Sequence, residues 1–281
     1  MARQTGVWGG RLPLRAGLGL LLFLAAAGAG RASEQAFGTV WQAQAADPAD
    51  PGAVLRECDA LAKATPDDSF AAVAQTLGAW HLLNAGRVPE ARAALVSRLA
   101  EASDPIREGA RELARAWLTL LDLEAVRESL RAYYRLEVRY PDSLAALAAH
   151  PRLPAAQRPP LTDRWGQAWN YQLAEFTQIR GLGGQRYRIE SPKVPGVPGL
   201  AEALAIPYGS RMSVEPVRLL KGAGGAAAVQ FRRTGAAAAD AGLVLQVGAA
   251  ADGLFLAHVG ASWILVCDGL HWRAWPVPNA Q

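Results

Sequence analysis

One long amphipathic pattern constrains the fold of this chain more than any other feature of its sequence. Asp104-Pro105 opens the pattern, because aspartate caps a helix N-terminus and proline is tolerated in the first turn. Apolar residues then recur at steps of three and four, at Leu113, Trp117, Leu120, Leu121, Leu123, Val126, Leu130, Tyr133, Tyr134 and Val138. Tyr140-Pro141 ends it, since a residue before proline disfavours helical geometry. The sequence predicts a helix of roughly 33 residues, or two helices with a break near Leu121-Asp122.

Shorter helices are predicted before this long one. Apolar residues recur at helical steps over Val54–Ala64, from near Phe70 to Gly86, and over Glu90–Glu101. The stretch Ala71–Leu99 resembles a degenerate tetratricopeptide unit, because an alanine-rich helix, a Gly86-Arg87 turn and a Pro-Glu-Ala-Arg helix start follow in that order. A short helical bundle is the alternative, since solenoids need about three repeats. Both interpretations predict a helical region over residues 33–104.

The most specific motif follows the long helix. The helix ends in Arg-Tyr-Pro at residues 139–141, and a short helix over Ser143–Ala149 and a proline-rich loop lead to Asp163-Arg164-Trp165-Gly166-Gln167-Ala168-Trp169-Asn170-Tyr171. Over residues 121–192 this order resembles the globular domain of the major pseudopilin of type II secretion systems. In that family an amphipathic helix ends at Arg-Tyr-Pro, and a variable loop leads to an Asp-Pro-Trp-Gly-x-Pro-Tyr-x-Tyr hairpin.

The residues at the family-motif positions have structural roles in our interpretation. They are Tyr140, Pro141, Asp163, Trp165, Gly166 and Tyr171, with Trp169 at a further aromatic position and Arg164 and Ala168 in place of two prolines. Aspartate can bond its own downstream backbone in a turn, and glycine supplies a positive φ. Aromatic residues at alternate strand positions are core residues far more often than ligand-stacking ones. The resemblance implies a long helix packed on a small antiparallel hairpin, whose second strand is Gln185–Ile189 after the turn Gly181–Gly184.

Two departures from the family limit what the resemblance implies. Pseudopilins begin with an apolar helix half that anchors them and builds the fibre core, whereas the residues before the matching helix here include Arg107, Glu108, Arg111, Glu112 and Arg115. Each charge at mid-membrane costs about 2.5–3.5 kcal/mol, so this segment is not expected to cross a bilayer. The family's calcium loop is acidic, whereas Ser191–Gly199 contains no carboxylate. Because calcium needs several oxygen ligands, usually with carboxylates among them, we expect no calcium.

Residues 1–32 have the design of a signal peptide. Arg3, Arg11 and Arg15 precede the apolar core Leu18–Ala27, and Ala27-Gly28-Ala29 is a small-x-small cleavage site. An uncleaved membrane anchor is the alternative, although the uncharged run after Arg15 has 15 residues, fewer than the roughly 20 that span a bilayer. The sequence predicts export to the periplasm or cell envelope, with anchoring in the inner membrane only if this segment is retained.

The basic charge of the chain is confined to that segment. The formal net charge is +4, and residues 1–32 contain four arginines and no acid. Without these four, the 29 basic residues of the chain become 25, which equals its 25 acidic residues. A nucleic-acid-binding protein needs a basic face on its folded part, so we expect no nucleic-acid partner.

A third module is predicted after a linker. Ser191–Gly199 contains three prolines and two glycines, and residues 193–210 are interpreted as the linker. Six β-prone runs follow, Val214–Leu220, Ala227–Arg232, Leu243–Gly248, Leu254–Val259, Trp263–Cys267 and Trp272–Val277. Cys267-Asp268-Gly269-Leu270 is a good hairpin turn. We expect residues 211–281 to form a small antiparallel sandwich or barrel.

The reactive side chains form no recognisable catalytic or metal-binding pattern. Cys58 and Cys267 either pair after export or are separate buried thiols. They are too few for a zinc site, and the four histidines lack ligand spacing: His81, His150, His258 and His271. Nucleophile-elbow, zinc-helix and phosphate-loop motifs are absent from the sequence. No catalytic residue, cofactor or metal is therefore predicted, and the protein is not expected to be an enzyme.

Two residue groups have both a functional and a structural interpretation. Asp67-Asp68 could be a pair of catalytic carboxylates, but capping of the following helix explains them better. His271, Trp272 and Trp275 could form a sugar platform, although a hairpin face is the favoured interpretation.

These patterns predict an α+β protein with a helical region over 33–104, a long helix with a pseudopilin-like hairpin over 105–192, and an all-β domain over 211–281. The preferred hypothesis is a non-enzymatic exported protein that acts as a scaffold or interaction component of a secretion or pilus-like apparatus, with other proteins as partners. The alternative is an envelope protein that binds carbohydrate or cell wall.

Overall fold

The structure, a computed structural model, describes residues 33–46, 51–100, 102–177, 183–234 and 242–277. The predicted signal peptide lies outside these ranges, as do Gly181 and Leu182 of the predicted glycine turn. Within the described ranges, no helix has both the length and the apolar character that crossing a membrane requires.

Helices form most of the first half of the described chain. They span residues 33–46 (α1), Pro51–Ala64 (α2), Ser69–Asn84 (α3), Val88–Val96 (α4), Pro105–Glu137 (α5), Leu144–Ala149 (α6) and Leu200–Ala205 (α7). The long helix α5 is confirmed as one element of 33 residues without the alternative break. Asp104 caps it by accepting a hydrogen bond from the Arg107 N–H at 3.0 Å. The prediction that α4 extends to Glu101 was wrong, because the helix ends at Val96 and the Ser97 hydroxyl bonds the Ala94 carbonyl.

The strands form three antiparallel sheets, so the α+β class is confirmed. Strands β1 (Asn170–Thr177) and β2 (Gly183–Glu190) make a hairpin in which Tyr171 lies opposite Ile189. A three-stranded sheet contains β3 (Val214–Lys221), β4 (Ala227–Arg233) and β5 (Leu243–Gln246) in that order. A four-stranded sheet contains β6 (Ala250–Ala251), β7 (Leu254–Val259), β8 (Trp263–Cys267) and β9 (Trp272–Pro276). The two-residue strand β6 carries no pattern and was not predicted.

The four-stranded sheet is buried on both faces. Successive strand residues point to opposite sides, and in β8 the side chains of Ile264 and Val266 pack towards the three-stranded sheet. Leu265 and Cys267 instead join the main core with the helices. The C-terminal residues therefore pack directly on the helical region. The segment 193–210, predicted as a linker, carries α7 and contributes Val194, Val197 and Ala203 to the same core.

A second core lies at the C-terminal half of α5. Its buried members come from α5, α6, the following loop and the hairpin: Leu123, Val126, Leu130, Ala132, Tyr133, Leu144, Leu147, Leu153, Trp169 and Ile189. Helix α5 thus spans two cores, with its first half in the main core and its second half under the hairpin.

Gly109 lies where α5 packs tightly against Trp272 of the C-terminal sheet, and its substitution by alanine is expected to destabilise the protein. A Cβ atom at this position would lie 2.6 Å from Cη2 of Trp272. Alanine normally favours a helix over glycine by about 1 kcal/mol, but overpacking of a core costs about 1–3 kcal/mol. We expect Gly109→Ala to lower the free energy of unfolding by about 1–2 kcal/mol in urea denaturation.

Gly78 provides the matched control for that substitution. It is also a buried helical glycine, on α3, but a Cβ there would lie 3.5 Å from the nearest atom, which is an ordinary contact. Gly78→Ala should therefore be neutral or stabilising by up to about 1 kcal/mol. If Gly109→Ala is as stable as Gly78→Ala, the close packing of Trp272 on α5 is wrong.

Candidate functional site

A tight turn that begins at Asp163 comes just before the hairpin in the chain and is bonded to α5. The buried Asp163 Oδ1 accepts hydrogen bonds from the backbone N–H groups of Trp165 at 3.0 Å and Gln167 at 2.9 Å. Its Oδ2 accepts the Ser191 hydroxyl at 2.8 Å. Gly166 has a φ of 77°, a conformation that favours glycine. Asp163 thus fixes its own turn and also ties the end of the hairpin to it.

Arg164 attaches this turn to the helices. Its Nε donates to Asp122 Oδ2 at 2.5 Å, and its backbone N–H donates to Thr119 Oγ1 at 3.2 Å. The other Asp122 oxygen accepts Arg92 of α4 at 3.0 Å. The buried Asp122 carboxylate therefore joins α4, α5 and the turn, which gives a physical role to an arginine at a position where the pseudopilin pattern has proline.

The motif aromatics lie in two different places. Tyr140 and Tyr171 pack on the second core, and the Tyr171 hydroxyl donates to the Pro141 carbonyl at 2.8 Å. Burial, with the neighbouring Tyr187, raises the pKa of Tyr171 to about 12, so this donor stays protonated. Trp169 is buried in the same core. Trp165 instead packs against the main core, and its Nε1 donates to Glu112 Oε2 at 2.7 Å.

Most of the alternative sugar platform is not on the surface, which disfavours that alternative and agrees with the favoured hairpin-face interpretation. The side chains of His271 and Trp272 are fully buried. Trp272 Nε1 donates to Thr76 Oγ1 at 2.8 Å, which joins β9 to α3. Trp275 is half-buried and lies between Phe231 and Arg273. His271 and Trp272 therefore offer no exposed face to a sugar, and Trp275 offers only part of its ring.

Burial favours the uncharged forms of two cysteines and one histidine in the interior. Burial raises the pKa of Cys58 and of Cys267 to about 12, and both thiols are free. Burial lowers the pKa of His81 to about 4, and its Nε2 lies 2.6 Å from Gln44 Oε1.

The Asp68 carboxylate accepts the Phe70 N–H at 2.8 Å and caps α3. In the part of the chain that the structure describes, no three His, Cys, Asp or Glu side chains are placed to hold a metal ion.

A cavity of about 600 Å³ opens beside the Asp163 turn. It lies between α5, the segment after β2, the turn before β7 and the turn after β8. Charged or polar groups on its wall include Glu108, Glu112, Trp165, Lys193, Arg211 and Asp268. Leu254, Phe255 and Leu270 make part of its apolar surface. These residues come from distant parts of the sequence and were not predicted to meet.

Comparison with protein-family models, with curated proteins and with solved structures found no match to this chain. The functional proposal therefore rests on the arrangement and chemistry of the described residues. The described interior contains the neutral His81 and the protonated thiols of Cys58 and Cys267. The surface carries exposed apolar residues at the C-terminal end of α5, among them Val138, and the cavity beside the Asp163 turn.

Proposed function

We propose that this chain is a non-enzymatic exported envelope protein that acts as a scaffold or interaction component of a secretion or pilus-like apparatus. The arrangement of α5, α6 and the β1–β2 hairpin supports this proposal, because a helix covered by a small antiparallel hairpin is the arrangement that the pseudopilin resemblance implies. The helical pair α3–α4, in its tetratricopeptide-like interpretation, adds a further surface for protein contacts.

The first half of α5 differs from the fibre-forming helix half of a pseudopilin. The first half of α5 carries the ion pairs Arg111–Glu108 at 2.5 Å and Arg115–Glu112 at 2.7 Å. Its apolar residues pack in the main core with α3 and the four-stranded sheet. Such a helix half is already covered by its own chain, so the protein would contact a fibre through its globular surface rather than join the fibre core.

The single observation that carries the proposal is a pair of exposed apolar residues one turn apart at the C-terminal end of α5. Tyr134 and Val138 are 40% and 77% exposed, and we call them the α5 end patch. Val138 also has a φ of 55°. A β-branched residue rarely adopts this conformation, and glycine is the usual residue at such a helix end. Its exposure and its backbone strain both make Val138 unfavourable for the stability of the fold. A role in binding a partner explains why valine stands at this position.

Val138→Gly is expected to stabilise the protein while weakening its partner binding. Relief of the left-handed strain should raise the free energy of unfolding by about 1 kcal/mol in urea denaturation. Loss of the most exposed apolar side chain of the α5 end patch should reduce recovery of secretion or pilus components from envelope extracts of the native host. A variant that is more stable but binds less cannot be explained by misfolding.

Asp252→Gly is the matched control. Asp252 is the other non-glycine residue with positive φ among the described residues, at 52°, and it lies in the turn between β6 and β7. The Asp252→Gly substitution should leave the recovery of secretion or pilus components unchanged. Recovery of no secretion or pilus component by the unmodified protein would count against the proposed function, whereas equal recovery by Val138→Gly would count against the α5 end patch alone.

A further inference from the structure

The cavity beside the Asp163 turn has a size typical of small-molecule sites. Its volume is about 600 Å³, and pockets that bind small ligands usually measure about 300–1,000 Å³. Its walls come from α5, the Trp165 turn, the segment after β2, and the four-stranded sheet. The Asp163–Ser191 hydrogen bond, 2.8 Å long, holds the Trp165 turn and the segment after β2 together. The cavity is therefore built from elements that the fold fixes independently of any ligand.

Two cations on the wall lack an ion pair with any described residue, whereas two of its carboxylates are paired. Glu108 is paired with Arg111, and Glu112 is paired with Arg115 and also accepts the Trp165 indole N–H. Among the described residues, the Lys193 ammonium and the Arg211 guanidinium have no ion-pair partner. Both side chains belong to exposed residues, so they lie at the rim of the cavity. An anionic group at the rim would complete their interactions.

The inner wall carries the opposite charge and an apolar surface. The Asp268 side chain is 5% exposed, and its Oδ1 accepts the backbone N–H groups of Leu270 at 2.9 Å and His271 at 2.7 Å. Its Oδ2 has no hydrogen-bond partner among the described residues and lies 3.7 Å from His271 Nδ1. A second anionic group deep in the cavity would be repelled by this carboxylate. The apolar surface beside it, with Leu254, Phe255 and Leu270, favours an uncharged body.

We propose that this cavity binds a single carboxylate attached to an apolar or aromatic body. The carboxylate pairs with Lys193 and Arg211 at the rim, and the apolar body lies against Phe255 and Leu270 in the interior. A free fatty acid and the carboxyl terminus of an apolar polypeptide share this chemistry. This inference concerns a different surface from the α5 end patch and does not depend on the proposed function.

Isothermal titration calorimetry on the full chain tests the contributions of the ligand's charge and of its apolar part separately. Decanoate, decanol and decylamine share one apolar chain and differ in charge. Decanoate is expected to bind roughly tenfold or more tightly than decanol, because each charge-assisted hydrogen bond adds to affinity. Decylamine is expected to bind most weakly, since its ammonium would meet the unpaired cations. Binding of decylamine as tight as that of decanoate would overturn the proposal.

Variants of the rim residues assign the binding to this cavity. Lys193→Met and Arg211→Met should each weaken decanoate binding roughly tenfold and leave decanol binding unchanged. Lys221→Met is the matched control, because Lys221 is an exposed lysine on β3 that does not line the cavity, and its decanoate affinity should equal that of the unmodified chain. Unchanged decanoate affinity in both rim variants would overturn the proposal.

A peptide that ends in Leu-Phe distinguishes the two sources of the ligand. If the free carboxylate form binds more tightly than both its C-terminal amide and decanoate, the natural ligand is a polypeptide terminus. If only decanoate binds, the natural ligand is a free fatty acid. Binding of the amide as tightly as the free acid would contradict a carboxylate site.

Discussion

Trp272→Ala is expected to lower the free energy of unfolding by about 3–5 kcal/mol, the range for removal of a large buried aromatic residue. The indole is fully buried between α3 and α5. Its Nε1 donates to Thr76 Oγ1 at 2.8 Å, and its ring lies directly on Gly109. Removal would leave a cavity where the four-stranded sheet meets the helices. Urea denaturation followed by circular dichroism measures the loss.

Two controls separate packing from the hydrogen bond. Trp275→Ala removes the same side chain from a half-buried site in the same strand, so its effect should be smaller. Thr76→Val keeps the volume but removes the acceptor of the indole N–H, which should cost about 1–3 kcal/mol. If Trp272→Ala and Trp275→Ala cost the same, Trp272 does not join the sheet to the helices.

The same measurement shows whether the helices and the C-terminal sheet unfold together. Their side chains share one core, in which Leu77 and Trp117 lie with Leu265 and Trp272. A common core should unfold in one transition that Trp272→Ala shifts as a whole. A separate early transition confined to the β-strands would instead indicate an independent C-terminal domain.

Local signals made α5 and most strands predictable. The ends of α5 are determined by residues close to them, Asp104 and Pro105 at one end and Tyr140-Pro141 at the other. The local sequence is therefore enough to predict where the helix begins and ends. The strands of the C-terminal module were likewise found from short apolar runs between turns. By contrast, β6 has two residues and no pattern that a sequence could reveal.

Packing between distant segments was not predictable in the same way. The Trp263–Cys267 run has no polar residue at alternate positions, which is typical of a strand buried on both faces. That signal was present, but the proline-rich stretch before the module favoured a separate domain. The Arg164–Asp122 ion pair joins residues far apart in sequence, and the motif that contains Arg164 has proline at that position and so gives no reason to expect this pairing. The cavity charges Lys193, Arg211 and Asp268 meet for the same reason, through the tertiary fold alone.

Asp163→Ala is expected to lower the free energy of unfolding by at least about 3 kcal/mol, because hydrogen bonds to charged groups contribute about 1.5–3 kcal/mol each and buried donors would lose their acceptor. The lost contacts are those to the N–H groups of Trp165 and Gln167 and to the Ser191 hydroxyl. Native-state hydrogen exchange should show faster exchange at the Trp165 and Gln167 amides. Urea denaturation measures the accompanying loss of stability.

Asp163→Asn tests whether the turn needs an acceptor or a charge. The asparagine oxygen can accept both backbone N–H groups, and the Ser191 hydroxyl can rotate to accept from the amide nitrogen. Its cost should therefore be about 1 kcal/mol, with both amides still protected. Asp142→Ala is the control, because Asp142 is an exposed aspartate just before α6. This substitution should change the free energy of unfolding by no more than about 0.5 kcal/mol. If Asp163→Ala costs no more than Asp163→Asn, the turn is held by the packing of Trp165 and Trp169, and Asp163 does not organise the cavity wall.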